Sequence, residues 1–129
     1  MSIKECDKVI KFDTKLAEGV MLLTPFAADA EDEATQNFVK AYKAAYNNET
    51  PNQFAADAYD GIYAIKAAAE KAGLTPDMSV SDMCEAMKTA MTEITIDGLT
   101  GEGITWTADG EPSKAPKAMV IKDGAYTAM

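Results

Sequence analysis

Between Thr50 and Gly73, apolar residues recur every three or four positions: Phe54, Ala58, Ile62, Ile65 and Ala69. This spacing predicts one long helix with that stripe turned to the core. Tyr59 and Tyr63 run beside the stripe and are read as core, while Lys66, Glu70 and Lys71 fall mostly on the other side. Both ends are marked. Pro51 stands near the start, where a missing N–H costs nothing, and Gly73 stands just past the end, where a left-handed residue can close the carbonyl ladder.

The flanking segments pattern differently. Glu18 to Thr24 is an almost continuous apolar run stopped by Pro25, which predicts a strand buried on both faces. Pro25 to Asp29 reads as a loop, and acidic residues at 29–33 suit the start of a helix over 31–47. Phe38, Tyr42, Ala45 and Tyr46 share one face of it. Ser79 or Ser81 caps a third helix, about 80–93, with Val80, Met83, Cys84, Met87, Ala90, Met91 and Ile94 on its apolar side. Its methionines are expected as adaptable core filler. Three glycines in 97–103 make a turn-rich approach to a short strand at Ile104–Trp106, with Trp106 expected as a core anchor. Asp109-Gly110 signals a turn. Lys117 to Lys122 reads as a strand, followed by the turn Asp123-Gly124 and a final short run. The fold class expected is α/β, with three main helices packed on about four strands. Residues 1–15 are weakly patterned, helix or strand, and are set apart from 16–129.

Composition narrows the chemistry. At 129 residues one domain with a modest core is expected. A formal charge of −9 argues against nucleic acid, whose binding rests on basic side chains neutralising phosphates. The chain has no histidine, which removes the commonest general base, the commonest metal ligand and the Ser-His and Cys-His nucleophile arrangements. Cys6 and Cys84 fit no metal spacing. Cys84 is expected as a buried thiol, and a Cys6–Cys84 disulfide stays open. No apolar run is long enough to cross a bilayer, and MSIKECDKVIKF has no apolar segment of the kind a signal peptide needs. No catalytic residue, metal site or cofactor is expected. Asp57 with Asp60, or Asp29 with Glu31–Glu33, could be read as the paired carboxylates of a hydrolase. An acidic helix start explains them without chemistry, since a working pair needs a burial-raised pKa.

Three stretches together resemble one family. The central helix opens P-x-x-F-A at Pro51–Ala55 and continues A-Y-D-G-I-Y at 58–63. L-A-E-G-V at 16–20 leads to an apolar strand and then Phe38, Tyr42 and Tyr46 at four-residue spacing. G-L-T-G-E-G-I-T-W at 98–106 closes in D-G-E-P, and A-M-V-I-K-D-G follows at 118–124. In this order they resemble the C-terminal third of the solute-binding proteins of branched-chain amino-acid ABC transporters. That is the type 1 periplasmic-binding fold, shared with extracellular ligand-binding receptors. The resemblance covers about residues 16–126; residues 1–11 match nothing in it and are expected to be junction sequence.

The resemblance implies a partial periplasmic-binding-protein-like lobe that captures a small amino acid, branched-chain in type, without altering it. It implies an ABC permease as partner of the full-length parent, and an extracytoplasmic place for that parent, in the periplasm or lipid-anchored at the cell surface. Carried over by position, Phe54 packs on the ligand side chain, and Gln53 and Asp57 face the same cleft. From the residues alone, Phe54 serves equally well as a staple between helices, and Asp57 as a solvated first-turn acid. Two alternatives of function stand beside this: a ligand-sensing domain of the same fold, and a structural piece with no binding of its own. A homodimer or domain swap is also expected, because apolar faces without partners tend to find another chain.

Overall fold

The computed structural model describes residues 13–129. Expectations for residues 1–12, Cys6 included, lie outside them. Among the described residues there are four helices and five strands: α1 Thr14–Ala17, β1 Met21–Thr24, α2 Glu33–Ala45, α3 Gln53–Ala72, α4 Val80–Met91, β2 Ile96–Gly98, β3 Gly101–Ile104, β4 Lys117–Lys122 and β5 Ala125–Ala128. This is the expected α/β mixture. The fifth strand arises because the glycine-rich stretch before Ile104 folds as a hairpin of its own. The chain forms two compact units, one of residues up to Gln53 with Pro116–Met129, the other Phe54–Ala115.

In the first unit, β1, β4 and β5 make an antiparallel sheet in that order. Met21 pairs with Val120 and Thr24 with Lys117. The β4–β5 link is a two-residue turn in which Asp123 and Gly124 both have positive φ, 51° and 77°, the backbone that matches strand twist. Ala17 and Ile121 are fully buried, with Val20 and Leu22 packed on them. The expected two-sided burial of β1 is not observed: Met21 and Leu23 are 67% and 66% exposed, while Thr24 is buried. The strand sits in an antiparallel sheet with one covered face, so its side chains alternate between core and solvent.

Helix α2 starts where the acidic run ends. Asp32 is its N-cap and accepts from the Thr35 N–H at 2.8 Å, which holds its carboxyl below the usual carboxylate range, with Lys117 adding to the effect. Phe26 meets Phe38 edge-on at 5.9 Å, and Phe38, Tyr42 and Tyr46 stack along the helix. The expected aromatic face is therefore a ladder, while the fully buried positions of α2 are Thr35 and Val39.

The second unit is built around α3. Its C-terminus closes as a Schellman motif, with Gly73 at φ 61°, the Gly73 N–H donating to Glu70 O and the Leu74 N–H to Ala69 O. The buried face is Ala56, Asp60, Ala64 and Ala68, not the expected stripe. Phe54, Ile62 and Ile65 are 51%, 66% and 56% exposed, and Tyr59 and Tyr63 are exposed as well. Within this unit the hairpin meets α3 at Asp60 and α4 meets it at Ala68, both on the alanine side, where missing bulk allows close approach. Ala68 packs with Ala90 and Ile94, joined by Met87, Met91, Ile96 and Trp106, as expected of the methionines and the tryptophan. Ser79 caps α4. Cys84 is a free, exposed thiol rather than a buried one, because the packed side of α4 is its later turns, from Met87 onward. The β2–β3 hairpin turns at Leu99-Thr100, both buried.

Candidate ligand-binding site

Thr24 ends β1 immediately before Pro25, and that position gives it an unusual set of neighbours. Its hydroxyl lies 2.9 Å from Gln53 Oε1, 3.0 Å from the Phe26 carbonyl oxygen and 3.3 Å from the Phe26 N–H that donates to it. A hydroxyl has one proton to give, so it serves one of the two oxygens at a time. Gln53 thus keeps acceptor capacity for a second donor, and its amide nitrogen donates to no described residue.

These residues line a cavity of about 940 Å³ in the first unit, at the upper end of what small-molecule sites occupy. Leu22, Phe26, Val39, Pro51 and Met119 give it apolar wall; Thr24, Gln36, Thr50, Asn52 and Gln53 give it hydrogen-bonding groups. Lys43, Asp29 and Glu49 supply charge. Gln36, Val39 and Lys43 reach it from one face of α2, three and four residues apart. Of the three residues expected at a ligand, Gln53 lines this cavity. Phe54 follows it in the second unit with its ring half exposed. Asp57 is held by Lys114 at 2.8 Å, a partly exposed pair worth at most about 1 kcal/mol. Thr24 and Lys43 were missed by sequence reasoning; the one signal for Thr24 was a hydroxyl residue placed between an apolar strand and a proline.

Asp60 has a different role. Its buried carboxylate accepts from the N–H groups of Leu99 and Thr100, each at 2.8 Å, and from the Thr100 hydroxyl at 2.6 Å. A Cβ on Gly98 would come within 2.5 Å of it, so only glycine lets the hairpin sit this close. Two of the stretches that carry the family resemblance, A-Y-D and G-L-T-G, are therefore halves of one contact. With Asp57 on Lys114 and Asp60 on three donors, both carboxylates of the Asp57–Asp60 pair have structural partners. No group of His, Cys, Asp and Glu among the described residues could hold a metal ion.

The sequence profile of the family described as periplasmic binding protein matches residues 8–125. The chain belongs to this periplasmic binding protein family. Solved structures of such binding proteins share its fold. A protein from Rhodospirillum rubrum described as a branched-chain amino acid ABC transporter is 27% identical, with a TM-score of 0.70 over 95% of this chain and 34% of its own. An ABC transporter solute-binding protein from R. palustris, in complex with benzoate, is 20% identical, with a TM-score of 0.71 over 94% of this chain and 32% of its own. A substrate-binding protein from Desulfitobacterium hafniense, in complex with Leu, is 22% identical, with a TM-score of 0.70 over 92% of this chain and 33% of its own. The chain thus spans about a third of the length of the binding proteins it matches. No curated protein matches it significantly in sequence. No helix among its described residues is long and apolar enough to cross a membrane.

Proposed function

We propose that this chain is the C-terminal portion of an ABC-transporter solute-binding protein and captures a small amino acid, branched-chain in type, without altering it. The cavity that joins the Thr24–Gln53 pair to an apolar wall carries this reading. An amino acid needs those two surfaces side by side: hydrogen-bonding groups for its polar head, apolar area for its side chain. Full burial of a leucine-sized side chain contributes about 1.5–3 kcal/mol, and Leu22, Phe26, Val39 and Met119 offer such a wall. The ligands of the two complexed relatives, leucine and benzoate, share a carboxylate beside an apolar group, which is the same demand. Gln53 meets the polar head in this reading, and Phe54 keeps the role at the ligand side chain that the family resemblance gives it. Asp57 stays with Lys114 and supports the start of α3. The parent protein is placed outside the cytoplasm, in the periplasm or at the cell surface, where it delivers its ligand to an ABC permease. The uncovered stripe of α3 keeps self-association an expectation, and a purely monomeric sedimentation profile at high concentration would count against it.

The test is a thermal-shift screen against leucine, isoleucine, valine and benzoate. A ligand at 100 times its Kd stabilises the folded state by about 2.7 kcal/mol, several degrees in a domain of this size. Phe54→Ala and Gln53→Ala should shrink the shift. A chain indifferent to all four ligands would sink the proposal that it carries a working site.

A further inference from the structure

The side of α3 that its own unit leaves uncovered carries a regular pattern. Ala58, Ile62, Ile65 and Ala69 lie four, three and four residues apart, the alternation that keeps a seam turned toward one partner helix. Ala58, Ile62 and Ile65 are exposed. The order Ala, Ile, Ile, Ala reads the same in both directions about a point between Tyr63 and Ala64. Gly61 borders this seam in mid-helix, where glycine lowers helix stability. A Cβ there would meet nothing within 4 Å among the described residues. The packing of the unit therefore does not require a glycine at 61, whereas the close approach of a second helix would use one.

Phe54 and Tyr59 flank the seam, each about half exposed. About 100 Å² remains uncovered on each such ring, and with the isoleucines and alanines the apolar face comes to roughly 500 Å². That lies toward the upper end of the largest patch on an ordinary monomer. Two such faces together bury about 1,000 Å², the size that a specific interface reaches.

We propose that this face pairs with the same face of a second copy, the two α3 helices running antiparallel about a two-fold axis between Tyr63 and Ala64. A two-fold interface must be self-complementary, so that if residue i touches j, then j touches i. The palindromic seam meets that demand, setting Ile62 against the partner's Ile65 and Ala58 against the partner's Ala69. The antiparallel arrangement also sets each helix dipole against the opposite end of the other. This gives the self-association expected above its surface and its direction, and it does not depend on the ligand.

The experiment joins disulfide mapping to sedimentation. In a background of Cys6→Ser and Cys84→Ser, Ala58→Cys and Ala69→Cys chains are prepared separately. Mixed and oxidised, they should form several-fold more covalent dimer than either does alone. Each variant's own two cysteines would lie about 16 Å apart along the pair, too far for a disulfide. A parallel pair would instead link each variant to itself, and that result overturns the arrangement. Ile62→Glu should shift the sedimentation profile to monomer with an unchanged circular dichroism spectrum, since the new carboxylate stands four residues before Lys66, a spacing that suits a helix. A dimer that survives Ile62→Glu, or a wild-type chain that stays monomeric at high concentration, overturns the proposal. Capture of an amino acid is read separately, by the thermal-shift screen on the same chain, so either reading can fail without the other.

Discussion

Replacing Asp60 should damage the second unit more than any other single change. The carboxylate is 4% exposed and is the partner of two backbone N–H groups and one hydroxyl of the β2–β3 turn. Asp60→Ala strands both N–H groups where water is excluded, at about 1–3 kcal/mol each, and the Thr100 hydroxyl loses its acceptor too. A loss of about 3–5 kcal/mol is expected, a large share of the 5–15 kcal/mol that holds a typical domain folded. Asp60→Asn keeps one acceptor but turns an amide N–H toward a backbone N–H, so roughly half that loss should remain. Gly98→Ala places a methyl carbon 2.5 Å from Oδ2, and the three nearest atoms all belong to Asp60; overpacking of this kind costs about 1–3 kcal/mol. In the Asp60→Ala background those atoms are gone, so the glycine change should become nearly neutral. Urea unfolding of the wild type, both single variants and the double variant gives the cycle. An Asp60→Ala loss below about 1 kcal/mol, or strictly additive effects at 60 and 98, would refute the contact as the unit's organising link.

Three other outcomes are expected. Asp32→Ala should cost about 1 kcal/mol as a lost N-cap. Because its folded pKa is depressed by the Thr35 N–H, that contribution is present above its unfolded value near 3.8 and fades as pH falls through the lower folded value, readable as a smaller wild-type advantage in acid. Tyr59 donates to Tyr63 Oη at 3.3 Å, and that bond raises its pKa above the ordinary 10.0. Its stabilisation is present below that value and lost as pH rises through the folded one. Tyr63→Phe should return the phenolate absorbance titration of Tyr59 toward the ordinary range, and an unchanged curve would show the bond to be without effect. Cys84 should react in the native state with a chromogenic disulfide reagent, and Cys84→Ser should remove that reaction; protection until unfolding would contradict its exposure.

Much of the fold was legible because its signals are local. Ser79 reports its own helix start, Gly73 its own helix end, and Asp123-Gly124 its own turn, each within a few residues of the structure it makes. The buried face of α3 was not legible. Periodicity locates the bulky stripe at Phe54, Ile62 and Ile65, but burial is decided by where neighbours lie, and α4 and the hairpin chose the alanines. The Asp60 contact was half visible: both of its sequence pieces stood inside motifs, but nothing in a one-dimensional pattern pairs residue 60 with residues 98–100. The candidate site was less legible still, since Thr24 and Gln53 are 29 residues apart and neither type announces a ligand alone.

The buried residues of α3 fall at 56, 60, 64 and 68, an interval of four. Four residues carry a helix about 40° past a full turn, so this ridge winds slowly around the axis instead of running along it. Two partners share this ridge: the hairpin takes Asp60, and α4 takes Ala68 a little over two turns later. The helix therefore works as a measuring rod, setting the rotation between hairpin and α4 as well as their spacing. One residue inserted between 60 and 68 would swing the two docking points apart by about 100°. The count of residues along this rod is therefore fixed.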